Sequence, residues 1–239
     1  MVLYGITSVR ERLVCDPASI RKVFVERSFR HPEIQSLLAQ HRIRCDTVSE
    51  RDLRRITPAK DLQKIVAKVE QFTYLPYEDI FQRSTRPSLV FLDGINDPHN
   101  LGVILRTLAC YGDFAIVLPE KGTCSINDTV MHVASGGENY VPVMRVPDLT
   151  VALATARKEG YVIYGSVVDQ DALDITHHAF RFPVALILGA EAQGIHQRTL
   201  ALADHQIVIP MHGAALSLNV NNACAIICYE ISKQRKLSQ

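Results

Sequence analysis

The distribution of apolar residues divides the chain into two parts. After residue 86, short and nearly continuous apolar runs alternate with segments of helical spacing such as residues 148–160. The apolar runs are residues 89–93, 114–119, 141–146, 161–168, 184–189 and 205–210. Strands that are buried on both faces of a parallel sheet have this pattern, so the second part is predicted to be an α/β domain with a doubly wound parallel sheet.

The first part of the chain has a different pattern, in which shorter elements alternate. Strand character is found in residues 22–26, 44–49 and 63–70, and helical spacing in residues 31–43 and 49–56. Pro32 is well placed for the first turn of a helix. Residues 73–88 hold Pro76 and Pro87 among polar residues, and this composition predicts a linker. We therefore predict a small α/β lobe at 1–72, a linker at 73–86 and a second lobe at 87–239.

Charge separates the same two parts. The 239 residues carry a formal net charge of +1, which by itself indicates no partner. Residues 1–86 hold 16 Lys and Arg against 11 Asp and Glu, a balance of +5, whereas residues 87–239 hold 10 against 14, a balance of −4. A basic lobe joined to a mildly acidic one is typical of a protein that binds a polyanion with one part, although an unevenly charged solvated surface gives the same counts.

The sequence predicts no membrane span, no secretion signal and no metal site. The chain is 47% hydrophobic, yet no apolar run approaches the roughly 20 residues that cross a bilayer. We therefore expect a cytoplasmic protein without a membrane partner. The six cysteines form no CxxC pair, and their mostly apolar neighbours predict small buried residues rather than disulfides or zinc ligands.

Three segments that directly follow predicted strands combine polar residues with glycines. They read DGINDPHNLGVILR from residue 93, GAEAQGIH from residue 189 and PMHGAALSLNVNNACAIICYE from residue 210. In open α/β sheets the binding crevice lies beyond the carboxyl ends of the strands, so these segments are the candidates for the functional site. None contains GxGxxG, which disfavours a dinucleotide-dependent oxidoreductase.

These segments resemble the three sequence motifs of the SpoU family of RNA ribose 2'-O-methyltransferases, within the SPOUT superfamily. The motifs are NDPxNxGxxxR at 96–106, GxExxG at 189–194, and IPMxG followed by SLNV at 209–220. The resemblance covers almost the whole chain, because YGITSVRERL and the basic lobe are similar to the family's substrate-binding domain. It implies a C-terminal domain with a trefoil knot, S-adenosyl-L-methionine as cofactor, an RNA substrate and a homodimer.

The resemblance also implies which residues act at the site. The positions that match the family's catalytic residues are Asn100, Arg106, Glu191, Ser217 and Asn219. The positions that match its cofactor contacts are Gly189, Ile209, Met211 and Leu218, and these would contact S-adenosylmethionine largely through backbone groups. No residue is assigned to a metal ion.

Four of the five catalytic candidates also have a simpler structural interpretation. Ser217 and Asn219 suit the cap of the last helix, and Glu191 suits the cap of the short helix that follows it. Arg106 can be an exposed helix cation, or it can bind the phosphate beside the target ribose and stabilise the developing alkoxide. The family's proposed base matches Arg106, but arginine essentially never loses its proton in proteins, so the phosphate role is favoured.

The chain departs from the family pattern at two places: the first allows local differences in the packing of the last helix, and the second leaves the RNA target open. Asn221 and Asn222 follow SLNV where the family usually has small residues, and Lys64 stands where many relatives have glycine. The leading hypothesis is a ribose 2'-O-methyltransferase that acts on guanosine in 23S ribosomal RNA, with transfer RNA as the main alternative. A non-catalytic RNA-binding relative and a nucleotide-dependent oxidoreductase are hypotheses from other classes.

Overall fold

The computed structural model describes residues 1–59, 61–169, 171–191, 193–213 and 216–237. The first of its two sheets lies in the basic lobe. The elements of this lobe are β1 (Val2–Tyr4), α1 (Ile6–Cys15), β2 (Ile20–Glu26), α2 (Pro32–Gln40), β3 (Cys45–Val48), α3 (Glu50–Ile56) and β4 (Ile65–Val69). The strands follow the order β1-β4-β2-β3. β2 pairs with β3 in parallel, whereas β4 is antiparallel to both β1 and β2. The predicted α/β lobe is therefore a mixed four-stranded sheet with helices.

The helices of the first lobe begin where their sequences supply caps. Pro32 is the first residue of α2, and the side chain of His31 accepts the Ile34 N–H. At α3, Ser49 Oγ lies 3.2 Å from the backbone nitrogen of Asp52 and accepts its N–H. These caps satisfy backbone donors that have no partner within a helix, which explains why both helices start at these positions.

The second lobe contains a seven-stranded sheet in which every strand pair is parallel. Its elements are β5 (Ser88–Asp93), α4 (Pro98–Tyr111), β6 (Phe114–Pro119), α5 (Asp128–Ala134), β7 (Val143–Val146), α6 (Leu149–Lys158), β8 (Val162–Ser166), β9 (Leu173–Asp174), β10 (Val184–Gly189), α7 (Gln197–Leu200), β11 (His205–Val208) and α8 (Val220–Leu237). The strand order is β7-β6-β5-β10-β8-β11-β9. The predicted parallel sheet is confirmed, and the trefoil knot stays a prediction.

Both faces of this sheet are covered, because alternate residues of a strand point to opposite sides. In β5, Val90 and Leu92 belong to the apolar cluster that contains α4 and α8, and the same cluster continues into the first lobe. Leu89 and Phe91 belong instead to the cluster that contains α6. Burial on both sides explains why β5 is apolar along nearly its whole length.

The stretch predicted as a linker packs against the second lobe. Its residues Tyr77 and Ile80 lie in a 3-10 helix, Tyr77–Gln82, and are buried in the cluster that contains α6. The Tyr77 hydroxyl donates to the carbonyl oxygen of Ala152 at 2.8 Å. The boundaries of the three predicted parts stay a prediction, but this stretch contributes side chains to the second core.

Polar and aromatic contacts join the two lobes. The guanidinium of Arg12 in α1 lies 3.2 Å from Oε1 of Glu138, which is buried just after α5. The rings of Tyr4 and His132 stack with centroids 3.9 Å apart. Burial raises the pKa of Glu138, and the neighbouring Arg12 opposes this shift. The lobes therefore share a buried interface.

The cysteines follow the sequence-based prediction only in part. All six thiols are free, and Cys224 and Cys228 are buried in α8 as predicted. The prediction of burial was wrong for Cys15, Cys45 and Cys110, which are exposed. Apolar neighbours along a helix or strand lie on other faces, so they do not determine the exposure of the residue between them. In the described ranges, no helix is long and apolar enough to cross a bilayer, and no three His, Cys, Asp or Glu side chains are grouped to hold a metal ion.

Candidate active site

The corner between β5 and α4 is built from polar groups that organise the start of the helix. The carboxylate of Asp97 accepts the N–H of His99 at 2.8 Å, and Pro98 is the first residue of α4. The side-chain amide of Asn96 donates to the carbonyl of Gly94 at 3.3 Å. These residues therefore cap and shape the corner. Asn100 follows in the first turn of α4, where its side chain extends toward the loop after β10.

Glu191 joins the starts of two helices through one oxygen atom. The side-chain amide of Asn100 donates to Oε1 of Glu191 at 2.9 Å. The side-chain amide of Asn219 donates to the same oxygen. Asn100 lies 91 residues from Glu191 in sequence and Asn219 lies 28 residues from it, yet all three meet at one carboxylate, as expected for loops at the same edge of a parallel sheet.

Asn219 also caps α8, so its structural and functional interpretations are compatible. Its Oδ1 accepts the Asn221 N–H at 2.8 Å, and its carbonyl accepts the Ala223 N–H at 3.0 Å. Its amide nitrogen remains directed at Glu191. The carboxylate therefore lies next to the N-terminal ends of α4 and α8, where the helix dipoles favour a negative charge. Glu191 does not cap α7, which begins after His196.

The loop that carries Glu191 is closed by backbone hydrogen bonds and leaves no space at Gly189. The Gly194 N–H donates to the Ala190 carbonyl at 2.8 Å, and the Ala190 N–H donates to the Gly194 carbonyl at 3.1 Å. A Cβ on Gly189 would lie 2.1 Å from the carbonyl carbon of Gly194. Gly189 is therefore required by close packing, whereas its contact with a cofactor stays a prediction.

A buried carboxylate fixes the same loop to the end of β5. Oδ1 of Asp93 lies 2.8 Å from Nδ1 of His196, and Oδ2 accepts the His196 N–H at 3.0 Å. Asp93 is 6% exposed. This pair was not among the predicted site residues, although an aspartate that ends an apolar strand is a visible signal. The pair holds together the strand end and the loop that border the candidate site.

A cavity of about 670 Å³ opens beside the third polar segment. Its lining residues are Val168, Asp169, Ala172, Asp174, Val208, Ile209, Pro210, Met211, His212, Gly213, Leu216 and Ser217. Three predicted site residues, Ile209, Met211 and Ser217, are among them, whereas Gly189 and Leu218 are not. Hydrogen bonds from Thr176 lower the pKa of Asp174, so this wall of the cavity carries a negative charge.

Arg106 lies apart from the Glu191 contacts. It is six residues beyond Asn100, which places it about 9 Å further along the axis of α4 and on another face of the helix. Its Nη1 donates to Ser135 Oγ at 3.4 Å. It lines a smaller cavity, of about 230 Å³, to which Glu11 of the first lobe also contributes. Within the described part of one chain, Arg106 therefore faces the boundary between the lobes.

A third asparagine, Asn221, joins the polar contacts around Glu191. The side-chain amide of Asn221 donates to Oδ1 of Asn100 at 2.7 Å. In the sequence, Asn221 is visible only as a departure from the family pattern. Its partner lies 121 positions away, and no local pattern could have revealed that contact.

Comparison with known proteins identifies the family. Residues 87–229 match the family described as SpoU rRNA Methylase, and residues 2–75 match the domain described as RNA 2'-O ribose methyltransferase substrate binding. The chain therefore belongs to the SpoU rRNA methylase family. Members of this family are RNA methyltransferases that take the methyl group from S-adenosylmethionine. The family and enzyme class predicted from the sequence motifs are confirmed.

Relatives and solved structures match over most of the chain. The 23S rRNA (guanosine-2'-O-)-methyltransferase RlmB of Ralstonia nicotianae is 32% identical over 99% of this chain and 96% of its own length. An uncharacterized tRNA/rRNA methyltransferase of Synechocystis is 37% identical over 98% of this chain, which spans 62% of that relative. The structure of the SpoU methyltransferase AviRb from Streptomyces viridochromogenes, in complex with AdoMet, has a TM-score of 0.81, 24% identity, and coverage of 99% of this chain and 91% of its own. That similarity supports the fold alone.

Proposed function

We propose that this SpoU-family chain methylates the ribose 2'-hydroxyl of a guanosine in 23S ribosomal RNA. The observation that carries the proposal is the meeting of Asn100 and Asn219 at Glu191. Asn219 lies two residues along the chain from Ser217, which lines the large cavity. The rRNA target rests on relatives such as the RlmB enzyme of Ralstonia nicotianae, which match the first lobe as well as the second. We expect such an enzyme to work in the cytoplasm.

The large cavity suits S-adenosylmethionine. A volume of about 670 Å³ is within the range of small-molecule sites. Apolar side chains such as Ile209 and Met211 can cover an adenine ring, and the carboxylates of Asp169 and Asp174 favour a ligand with positive charge. The cofactor supplies a methyl group on a positively charged sulfur. We assign Ile209 and Met211 to its binding, with Gly189 and Leu218 shaping the adjoining backbone, and Ser217 is the catalytic candidate that lines this cavity.

The polar residues around Glu191 are suited to holding the ribose in one orientation. Glu191 can only accept hydrogen bonds while it is ionised, so it fixes the direction of the two amides that donate to it. Those amides keep further hydrogen-bonding capacity for the ribose hydroxyls. In-line methyl transfer requires such positioning, because a small misplacement of the acceptor oxygen slows the reaction strongly.

Arg106 is assigned to the RNA phosphate rather than to proton removal. Its guanidinium keeps its charge and offers a planar pair of donors that matches a phosphate. Arg106 and Asn100 occupy different faces of α4. One nucleotide can therefore contact both residue types only if the RNA spans both faces of the helix, or if Arg106 and Asn100 come from two copies of the chain. We propose a homodimer, whose interface includes the exposed apolar side chains of Ile226 and Tyr229 on α8.

A methyl-transfer assay with defined RNAs tests the proposal. Purified protein is incubated with labelled S-adenosylmethionine and either 23S rRNA or transfer RNA, and the modified nucleoside is identified by mass spectrometry. We expect 2'-O-methylguanosine in 23S rRNA. Methylation of transfer RNA alone would transfer the assignment to the alternative target. Cofactor binding without transfer to either RNA would indicate a non-catalytic relative.

A further inference from the structure

Asn221 contacts two of the asparagines in the candidate active site. It is the second residue of α8, and its side-chain amide donates to Oδ1 of Asn100 at 2.7 Å. Its backbone N–H donates to Oδ1 of Asn219 at 2.8 Å. Its own Oδ1 is buried and has no hydrogen-bond partner among the described residues. Leaving a buried acceptor unpaired is unfavourable, so the placement of this amide needs an explanation.

The charge of Glu191 explains the direction of the whole chain of amides. Because a carboxylate only accepts, Asn100 must direct its nitrogen at Glu191 and its oxygen away from it. The oxygen of Asn100 then faces Asn221, so Asn221 must present its nitrogen. If the Asn221 amide were reversed, two oxygens would face each other. Only the orientation in which the Asn221 nitrogen faces the Asn100 oxygen makes this hydrogen bond.

We propose that Asn221 is a positioning residue that fixes the amide of Asn100 for the ribose of the RNA substrate. This inference rests on the proposed function. With its oxygen held by Asn221 and one N–H held by Glu191, the Asn100 amide cannot rotate, and its second N–H points in a single direction. Asn221 acts through Asn100 and touches neither the RNA nor the cofactor.

Substitutions of Asn221 distinguish positioning from packing. Asn221→Ala removes the donor and should lower kcat about tenfold, as expected for one lost hydrogen bond, with the KM for S-adenosylmethionine unchanged. Asn221→Asp keeps the shape but presents oxygens to Asn100, so kcat should fall further than in Asn221→Ala. A packing role predicts the reverse order, because aspartate has nearly the volume of asparagine. Asn222→Ala, a change at the exposed neighbouring residue, is the matched control and should leave kcat unchanged.

Two further measurements test whether Asn221 acts through Asn100. In an Asn100→Ala background, Asn221→Ala should cause no additional loss of kcat, because the group it orients is absent. Protonation converts the carboxyl introduced by Asn221→Asp into a donor, so the activity of this variant relative to wild type should rise as pH falls. Additive losses in the double variant, or a relative activity of Asn221→Asp that is independent of pH, would overturn the inference.

A readout that needs no activity separates this inference from the proposed function. In isotope-labelled full-length protein, the Asn100 side-chain amide signal is identified by its loss in Asn100→Asp. Asn221→Ala should shift or broaden that signal, whereas Asn222→Ala should not. If wild-type protein methylates no RNA, the proposed function fails while the amide signal still decides the role of Asn221. An unchanged Asn100 signal in Asn221→Ala would refute the positioning role.

Discussion

Arg12 and Glu138 form an ion pair that is buried between the two lobes, with 3.2 Å between the guanidinium nitrogen and the carboxylate oxygen. The pair is incompletely satisfied, because Nε of Arg12 and Oε2 of Glu138 lack partners among the described residues. Burial of a charge that is not fully paired costs free energy, which is the physical reason that the pKa of Glu138 is raised.

The raised pKa of Glu138 predicts a specific dependence of stability on pH. The folded protein binds this proton more tightly than the unfolded chain, so Glu138 reduces the free energy of unfolding as pH rises above the ordinary value of 4.5 toward the raised one. Glu138→Gln should remove this loss, and its stability relative to wild type should therefore increase as pH rises above 4.5. Urea unfolding at several pH values measures the difference. Glu120→Gln, at an exposed carboxylate, is the control. The same pH dependence in Glu138→Gln and wild type would contradict the prediction.

The role of Arg106 can be read from how two substitutions differ. Arg106→Ala should lower the rate of methyl transfer by about 10²-fold, the scale expected when a group that stabilises developing charge is removed, and should leave S-adenosylmethionine binding nearly unchanged. Arg106→Lys keeps the charge but loses the planar pair of donors, so we expect partial activity and a raised KM for RNA. Steady-state kinetics and cofactor titration give both quantities.

Lys158→Ala, at an exposed cation on α6, is the control for charge loss in these assays. Almost complete inactivity of Arg106→Lys would favour a role for this arginine as base. Wild-type kinetics in Arg106→Ala would show that it is an exposed helix cation without a function in the reaction.

Glu191 should be needed for geometry more than for charge. Glu191→Ala leaves the amides of Asn100 and Asn219 without their common acceptor, so kcat should fall about 10²-fold through misplacement of the ribose. Glu191→Gln retains a carbonyl oxygen that can accept both bonds and should lose less. Rate assays with thermal unfolding as a check on stability measure these effects. Equal losses in the two variants would instead assign the effect to the negative charge.

The exposed apolar side chains of α8 predict self-association. Ile226 and Tyr229 are 41% and 56% exposed, and the ring of Tyr229 lies 6.2 Å from that of Tyr111. If this surface forms the homodimer, Ile226→Glu combined with Tyr229→Glu should produce a monomer, because a buried interface would have to hold unpaired charges. Light scattering at micromolar concentration measures the mass.

Val151→Glu provides the matched control for that experiment. Val151 is an apolar residue on α6 with 66% exposure, so the same kind of substitution there should leave a dimer intact. A wild-type protein that is monomeric, or a double variant that remains dimeric, would contradict the proposed interface.

The long apolar strands could be predicted from the sequence because each is buried on both faces. Predicted residues 114–119 and 184–189 coincide with β6 and β10. The strands that were missed, β1 and β9, contain three and two residues, too few for a periodic pattern. β1 exists because it pairs with β4, more than 60 residues later, and such a distant pairing leaves no local signal.

Prediction of the site depended on a different principle. Polar segments after parallel strands were expected to converge, and Asn100, Glu191 and Asn219 are in contact. Arg106 comes from the same helix as Asn100 but occupies another face, which the spacing of six residues already implied. The contact between Asn221 and Asn100 depends on how α8 lies against α4, so it could be found only in three dimensions.

The closed backbone around Gly189 has a genetic consequence. Every single-base change that alters a glycine codon either ends the chain or introduces at least a Cβ atom, and at this position that atom would lie 2.1 Å from a carbonyl carbon. The loop that carries Glu191 would have to move in each such allele. Missense alleles of this codon should therefore be severe, and no mild one is within reach of a single mutation.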